Sequence, residues 1–421
     1  CAAAIVDAPL FASYTIPIPQ HIGAPAKLLV NTGDAVKKGQ LLAEPGGFVS
    51  AALHAPTSGT VKAIADCMMP NGSTGSAITL ESDGEDTAEF MPPITDWETA
   101  DAETLKKRIA DAGIVGMGGA AFPTHVKLSP PPAKPIDTLI LNGVECEPCL
   151  TADHRLMLED PEKILQGALM VRQAVGANRV VVGIERNKPD AIVQMQDRAR
   201  KLNIEVVDLR VRYPQGAEKQ LIYAVTGRRV PTGGLPMDVG CVVQNVGTCL
   251  AVAEAVLDGK PLFERVTTIT GTPVANPGNW RFRIGTPLHE ALKLAGGVVA
   301  NPAKIISGGP MMGLSIYSLD VPILKSSSGI LLLAPDEVAQ YTSEPCINCG
   351  ACVDACPMNL RPGPLSVYIE NERFELAETW RALDCIECGC CAYACPSNRP
   401  LVQHLRRAKG EIMTKRRAEK K

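Results

Sequence analysis

Eight cysteines near the C-terminal end fall into two runs of one form, Cys346-x2-Cys349-x2-Cys352-x3-Cys356-Pro357 and Cys385-x2-Cys388-x2-Cys391-x3-Cys395-Pro396. Cysteines three positions apart in a tight loop can turn three sulfurs toward one cubane, and the fourth ligand then comes from elsewhere. Where two such runs occur together, the fourth cysteine of each serves the other cluster. The spacing therefore assigns Cys346, Cys349, Cys352 and Cys395 to one [4Fe-4S] cluster, and Cys385, Cys388, Cys391 and Cys356 to a second. Cys390 is a spare thiol beside the ligands. Zinc and disulfides are the competing readings, but a structural zinc site closes with four ligands, usually paired two and two.

A second stretch with chemistry in it is Val115-Gly116-Met-Gly118-Gly119-Ala-Ala-Phe-Pro123-Thr124-His-Val-Lys127. Three glycines within four residues let backbone N–H groups turn toward an anion, and a following lysine adds positive charge. No Gly-Lys-Ser/Thr follows, so it is not a P-loop, and it follows a predicted helix where a dinucleotide fingerprint would follow a strand. A phosphate cradle and a plain tight turn both fit the pattern. Residues 136–142 read as a buried strand whose C-terminal end delivers Gly143-Val-Glu145-Cys146-Glu147-Pro148, the position at which open α/β sheets bind ligands. Cys146 and Cys149 make a lone CxxC, read as ordinary buried thiols with a redox dithiol as the alternative.

The elements that must hold these groups are legible in order. Residues 31–43 and 55–61 read as hairpin-linked β units. The acidic, proline-bearing stretch 84–98 suits a linker. Asp101 caps a helix with Glu103 in its first turn, Leu105, Ile109 and Ala112 on one face, and Gly113 at its end. Beyond residue 142 the pattern predicts a helix from Pro161 to Gly176, a strand over 179–184, a helix over 189–202, a strand over 204–211, a helix over 217–226, and another helix after Asn245-Val246-Gly247-Thr248. This alternation predicts an α/β layer with a mostly parallel sheet. Strand, helix and strand follow at 267–271, 288–294 and 305–310, with Met311 and Met312 as packing residues. The spacer at 364–382 reads helical. The tail from Arg406 to Lys421 carries eight basic residues against two acidic ones, a solvated end or a surface for anionic lipid or an acidic partner.

At 421 residues the chain is long enough for two to four domains. A net charge of -3 gives no sign of nucleic-acid binding, and 4% aromatic content disfavours a stacking platform for bases. Fifteen cysteines in so long a chain argue for a reducing compartment, with the cytoplasm as default. No stretch reaches the roughly 18 to 20 apolar residues of a membrane span, and residues 1–7 lack a basic leader region.

The residues also resemble known families. The two β units at 31–43 and 55–61 resemble the lipoyl/biotinyl barrel-sandwich domain, whose hairpin tip carries a lysine; the tip here, residues 46–54, holds none, implying a docking module without the prosthetic group and a structural role for His54. The segments Gly116 to Thr124, Asn142 to Pro148, Tyr213-Pro-Gln-Gly216-Ala-Glu218 and Asn245 to Thr248 are similar to the FMN-binding segments of the NADH-oxidising flavoprotein of respiratory complex I. That resemblance implies non-covalent FMN, with its phosphate at Gly116, Gly118, Gly119 and Lys127 and with Asn142, Glu145, Gly216, Glu218, Asn245 and Thr248 around it. Glu145 and Glu147 would tune its potential, since nearby negative charge disfavours an anionic reduced flavin; no catalytic acid or base is assigned. Met117 stands where the family has arginine, and Ala217 replaces one of two adjacent glutamates.

The succession of lipoyl-like, flavin and two-cluster parts looks like the RnfC family, a component of the Rnf electron-transport complex. This implies a multidomain α/β chain: a barrel-sandwich domain over 1–83, a linker over 84–100, a Rossmann-like FMN/NAD-binding domain over 101–260, a β-grasp SLBB domain over 261–335, a helix-rich dicluster ferredoxin domain over 336–410, and a basic tail over 411–421. The implied activity is hydride exchange between NAD(H) and FMN with single electrons relayed through the clusters, coupled in the complex to ion translocation and ferredoxin turnover. The implied partners are other members of that complex, an iron–sulfur protein among them, at the cytoplasmic face of the bacterial inner membrane. A flavin-free electron-transfer adaptor and a scaffold with purely structural clusters are the alternatives.

Overall fold

At the centre of the chain lies a four-stranded parallel sheet in the order Glu205–Leu209, Arg179–Glu185, Thr138–Asn142, Cys241–Asn245. The computed structural model describes residues 3–339 and 341–419. Cys1, Ala2, Gln340, Lys420 and Lys421 lie outside the described residues, and with them the start of the expected first domain and the last residues of the basic tail. Strand Thr138–Asn142 inside the sheet and strand Cys241–Asn245 at its edge are both buried along nearly their whole length, as expected where helices cover both faces of a parallel sheet. Helix Pro161–Val175 begins with proline and ends at left-handed Gly176 (φ 70°), a start and stop that suit each residue's backbone preference. It packs so closely on helix Val246–Leu257 that a Cβ on Gly167 would lie 1.8 Å from the carbonyl oxygen of Cys249.

The chain builds this sheet outward from Thr138–Asn142 and then returns to its other side for Cys241–Asn245, so the strand order reverses between those two neighbours. Strand Cys241–Asn245 and helix Ala152–Glu159 are elements that the sequence pattern does not single out.

The N-terminal unit consists of two antiparallel sheets. Ser13–Pro17, Thr74–Ser82, Gly59–Met68 and Ala35–Val36 form one, and Lys27–Leu28, Leu41–Glu44 and Leu53–His54 form the other. Tyr14, Ile16, Leu42, Val61, Ile78 and Leu80 fill the space between them. His54 is buried in its strand, where loss of solvent holds its imidazole at a pKa of about 3, with the Lys325 cation adding to the effect.

A six-stranded mixed sheet follows in the order Ile5–Asp7, Gly278–Arg283, Glu264–Thr270, Gly329–Leu333, Lys304–Ser307, Leu314–Ile316, with helix Leu288–Leu294 contributing Leu288, Ala291 and Leu292 to its core. Its first strand comes from the start of the chain, within the span assigned by sequence to the N-terminal β domain, and pairs in parallel with Gly278–Arg283.

The stretch 84–100 is tied down at separate points, with most of its residues exposed between them. Met91 and Ile94 donate backbone hydrogen bonds to Gly259 and Val256, and Trp97 is buried. Asp86 is gripped by Arg283 (2.5 and 2.7 Å) and Lys38 (2.6 Å). Burial works against its charge, but these bonds outweigh it and hold the carboxyl near pKa 2.

Helices Pro362–Glu370, Phe374–Thr379 and Leu401–Ala418 close around Leu365, Ile369, Ala377, Leu405, Ala408 and Ile412. The basic tail expected as a solvated end is helical as far as Ala418. Leu401, Leu405, Ala408 and Ile412 continue one apolar stripe at helical spacing, while Arg407 and Arg416 pair with Glu372 and Glu378.

Candidate functional site

Asn142 and Asn245 end their strands as direct register partners, at the point where the strand order reverses. The reversal opens a crevice beyond the strand ends, where open α/β sheets take ligands. Asn142 Nδ2 donates to the carbonyl of Gly216 at 2.8 Å, and its Oδ1 accepts from the Val144 amide. Asn245 caps helix Val246–Leu257, its Oδ1 accepting from the amides of Gly247 and Thr248 while Nδ2 donates to Asp153 at 2.6 Å.

The glycine loop lies against this cap. Its neck is closed by Gly116 N–H to Phe122 C=O (2.8 Å) and Ala121 N–H to Gly116 C=O (3.2 Å). Met117 N–H donates to Thr248 Oγ1 at 2.9 Å, and the Met117 side chain turns into the core. Gly118 faces Asn245, with a built Cβ 3.5 Å from the asparagine's own. Gly119 has φ +115° with open space where a side chain would be, so the loop presents bare backbone, as an anion cradle requires. Thr124 Oγ1, just beyond, is buried with no hydrogen-bond partner. Lys127 forms an ion pair with Glu218 at 2.5 Å. The loop, both asparagines, Gly216, Glu218 and Thr248 thus converge on one side of the sheet, and this polar, glycine-lined crevice fits a phosphorylated cofactor.

Carboxylates crowd the same end. Glu145, at φ 45°, accepts from the amides of Asp153 (2.8 Å) and His154 (3.0 Å) at the start of helix Ala152–Glu159. Burial, reinforced by the Asp153 carboxylate, pushes Glu145 up to about 8, and burial also raises Asp153. Buried Lys188 answers them, its Nζ donating to the Val144 carbonyl at 2.8 Å. Glu147 points elsewhere: its oxygens accept from the amides of Met311 (3.1 Å) and Met312 (2.7 Å), tying the strand end to the six-stranded sheet. Cys146 is pushed up to about 11 by burial, which suits an inert thiol.

The two cysteine runs fold alike, position for position. Left-handed backbone recurs at Asn348 and Glu387, at Gly350 and Gly389, and at Asn359 and Asn398. Cys356, Cys385, Cys388 and Cys391 line one pocket. Cys391 is pushed up to about 12 by burial and by Cys385, Cys388 and Cys356. Cys352 is likewise raised by burial and then by Cys395 and Cys346. Crowded thiols that oppose one another's ionisation are what a cationic cluster relieves, since metal ligation needs thiolates. Each run's fourth cysteine therefore sits with the other run. Among the described residues no three His, Cys, Asp or Glu side chains close on a single-ion site. Cys349 is exposed.

The crevice and the second cysteine set are joined directly. Tyr213 OH donates to the Cys388 carbonyl at 2.7 Å, and Gln220 Nε2 to the Pro357 carbonyl at 3.0 Å. A Cβ on Gly389 would lie 2.9 Å from the Met311 carbonyl oxygen, so the six-stranded sheet also touches this loop.

Comparison with known proteins gives these parts family identities. Residues 2–85 match the RnfC barrel sandwich hybrid domain, 109–254 the Nuo51 FMN-binding domain, 266–315 the SLBB domain and 345–399 the 4Fe-4S dicluster domain. The chain is 50% identical over 406 residues to the C component of the proton-translocating ferredoxin:NAD(+) oxidoreductase complex of Clostridium ljungdahlii, covering 96% of this chain and 89% of the relative. The chain belongs to the RnfC family of ion-translocating oxidoreductase complexes. Another member, the C component of the Na(+)-translocating ferredoxin:NAD(+) oxidoreductase complex of Acetobacterium woodii, is 46% identical, with 96% and 91% covered. The C component of the ion-translocating oxidoreductase complex of Pseudomonas aeruginosa is 44% identical over 98% of this chain, which spans 54% of that longer relative. An NAD+-reducing [NiFe]-hydrogenase structure shares the fold at TM-score 0.55 and 19% identity, over 79% of this chain and 69% of its own.

Within this RnfC fold, sequence reasoning passes over Lys188, Asp153 and Gln220. Lys188 follows the C-terminal end of the strand beside Thr138–Asn142, a position at which a charged residue reaches the crevice, so its place was a usable signal. Asp153 and Gln220 act through contacts 92 and 137 residues away in sequence, to Asn245 and Pro357, and no local pattern marks them.

Proposed function

We propose that this chain exchanges hydride between NAD(H) and FMN at the crevice and passes single electrons through two [4Fe-4S] clusters, as the peripheral, cytoplasm-facing RnfC component of an ion-translocating ferredoxin:NAD+ oxidoreductase complex. The observation that carries it is segment 213–220. One residue of this segment, Gly216, is bonded to Asn142 in the crevice, and two others, Tyr213 and Gln220, are bonded to the loops of the second cysteine set. Bound flavin supplies the step between a two-electron hydride and one-electron carriers. Gly116, Gly118 and Gly119 offer backbone donors to its phosphate. Lys127, paired with Glu218, adds a cation beside them. Asn142, Asn245 and Thr248 fix the strand ends around it, and Glu145, which holds its proton up to about pH 8, acts on its potential only above that pH, once it becomes an anion.

The set Cys356, Cys385, Cys388 and Cys391 is the inner station, fastened to the α/β unit. The set Cys346, Cys349, Cys352 and Cys395 is the outer one, with Cys349 at the surface. Amides of Leu360 and Glu387 donate to Cys356 and Cys385 sulfurs, contacts that tune cluster potentials. The division at residues 83, 100, 260 and 335 is part of this proposal, whereas the expected division at 410 falls inside helix Leu401–Ala418, whose Ile412 packs in the core of the cluster-bearing unit. Anaerobic addition of NADH to the purified protein tests it: flavin and cluster absorbance bleach together, and a protein holding both cofactors in which neither bleaches overturns the assignment of nicotinamide as direct donor.

A further inference from the structure

Helix Leu401–Ala418 turns two of its cations onto the second cysteine run. Arg406 Nε donates to Glu387 Oε2 at 2.8 Å, while Lys409 Nζ donates to Glu387 Oε1 and, at 3.1 Å, to the Cys385 carbonyl. We propose that Lys409 raises the reduction potential of the inner cluster, its fixed charge offsetting the negative charge that each added electron brings. This rests on the ligand sets assigned above and adds to them a positioning residue that acts on the cluster through Cys385 and its loop.

The two cysteine runs share a backbone but differ in charge at one place. Asn348 and Glu387 are equivalent residues with nearly equal φ, 55° and 57°. Left-handed backbone suits asparagine and is uncommon for glutamate, so Glu387 stands there against its own backbone preference. Its carboxylate holds two cations from residues 19 and 22 positions further on. Asn348 is neutral, and its Oδ1 lies 3.7 Å from Cys346 Sγ.

The trio of Arg406, Glu387 and Lys409 carries two positive charges and one negative, so its sum beside the inner set is a cation. Glu387 is only 25% exposed and Lys409 29%, and partly buried charges are screened less by salt than free ones. The Glu387 amide also donates to Cys385 Sγ at 3.3 Å, so one residue both seats the ligand and anchors the lysine. Net charge and hydrogen bonds at the sulfurs are what set cluster potentials. A unit charge about 10 Å away, at an effective dielectric of about 20, favours the added electron roughly tenfold, which for a one-electron couple is about 59 mV.

The test is an anaerobic redox titration with dithionite and mediators, followed by EPR, on the full cofactor-loaded protein and its Lys409→Met, Lys409→Arg and Glu387→Gln variants. The inner signal is the one that Cys385→Ser loses. In K409M the inner midpoint is expected to fall by about 59 mV, a tenfold loss, with the outer midpoint shifted clearly less and iron content unchanged. K409R restores the wild-type value, and E387Q, which removes the negative member of the trio, moves the inner midpoint upward. An unchanged inner midpoint in K409M, or inner and outer midpoints that fall together, overturns the proposal. If K409M fails to hold the inner cluster, E387Q decides: an upward shift supports the proposal and no shift overturns it. Loss of different signals from Cys385→Ser and Cys356→Ser would bring down the ligand assignment and the proposal with it, whereas a failure confined to K409M leaves that assignment standing. NADH takes no part in the titration, so the outcome is separate from that of the hydride reading.

Discussion

Tyr213 of the α/β unit donates its hydroxyl to the carbonyl of Cys388, a residue 175 positions further on, at 2.7 Å. With the bond from Gln220 to Pro357, this fixes the inner cluster loop against the segment that carries Gly216 and Glu218. A Tyr213→Phe variant removes one hydrogen bond worth about 1 kcal/mol net. Amides at 385–389 are expected to exchange with solvent about fivefold faster than in wild type, measured by mass spectrometry on the anaerobic protein, while FMN content stays unchanged.

Crossed ligation gives opposite outcomes for two similar substitutions. Cys356→Ser disturbs the inner cluster and leaves the outer one, whereas Cys395→Ser does the reverse, although each cysteine belongs by sequence to the other run. Iron analysis with EPR of the dithionite-reduced protein checks this: each variant retains one intact cluster signal, and the two retained signals differ. Loss from Cys356→Ser of the signal that Cys346→Ser loses, in place of the one that Cys385→Ser loses, would mean that each run serves its own cluster.

Asn245 serves the helix cap, the glycine loop through Thr248, and Asp153 at once. Asn245→Ala removes a cap worth about 0.5–2 kcal/mol and strips a buried carboxylate of its donor. The unfolding temperature is expected to fall by at least about 2–4 °C, and FMN released on denaturation to drop well below one per chain. Asn245→Asp preserves the cap and adds repulsion with Asp153, so it keeps more stability at low pH than at high pH.

Glu145 sets a pH dependence whose sign follows from its raised pKa of about 8. Below about pH 4 the folded and unfolded chains both hold its proton and the residue costs nothing. Between there and about pH 8 the unfolded chain gives up the proton while the folded one keeps it, so stability declines as pH rises. Glu145→Gln is expected to flatten this decline, seen as a smaller change of unfolding temperature between about pH 5 and 8.

Elements with strong local periodicity are readable from the sequence. Helix Ala102–Asp111, with Asp101 bonded to the Thr104 amide, and helix Pro161–Val175 stand where caps and apolar spacing place them. The cysteine sets are readable because ligand geometry forces their spacing. Cys241–Asn245 is not, because three apolar residues followed by Gln244 and Asn245 before a helix start are too short to show a period of their own. The packing of residues 84–100 is hidden for another reason: acidic and proline content dominates composition, while Trp97 and Ile94 depend on surfaces more than seventy residues away. Among site residues, Lys127 is placed at the loop by sequence, but its pairing with Glu218 depends on tertiary approach.

The strand Ile5–Asp7 also constrains how the chain is made. Asp7 and its partner Arg281 are 274 residues apart, so at about 5–20 residues per second of synthesis the leading strand waits roughly 15 to 60 seconds for its neighbour to leave the ribosome. The N-terminal β sheets, all of whose strands lie within Ser13–Ser82, close on themselves during that interval. The leading strand then threads into a sheet finished late, and assembly of the protein becomes a clasp fastened only after strand Gly278–Arg283 has emerged.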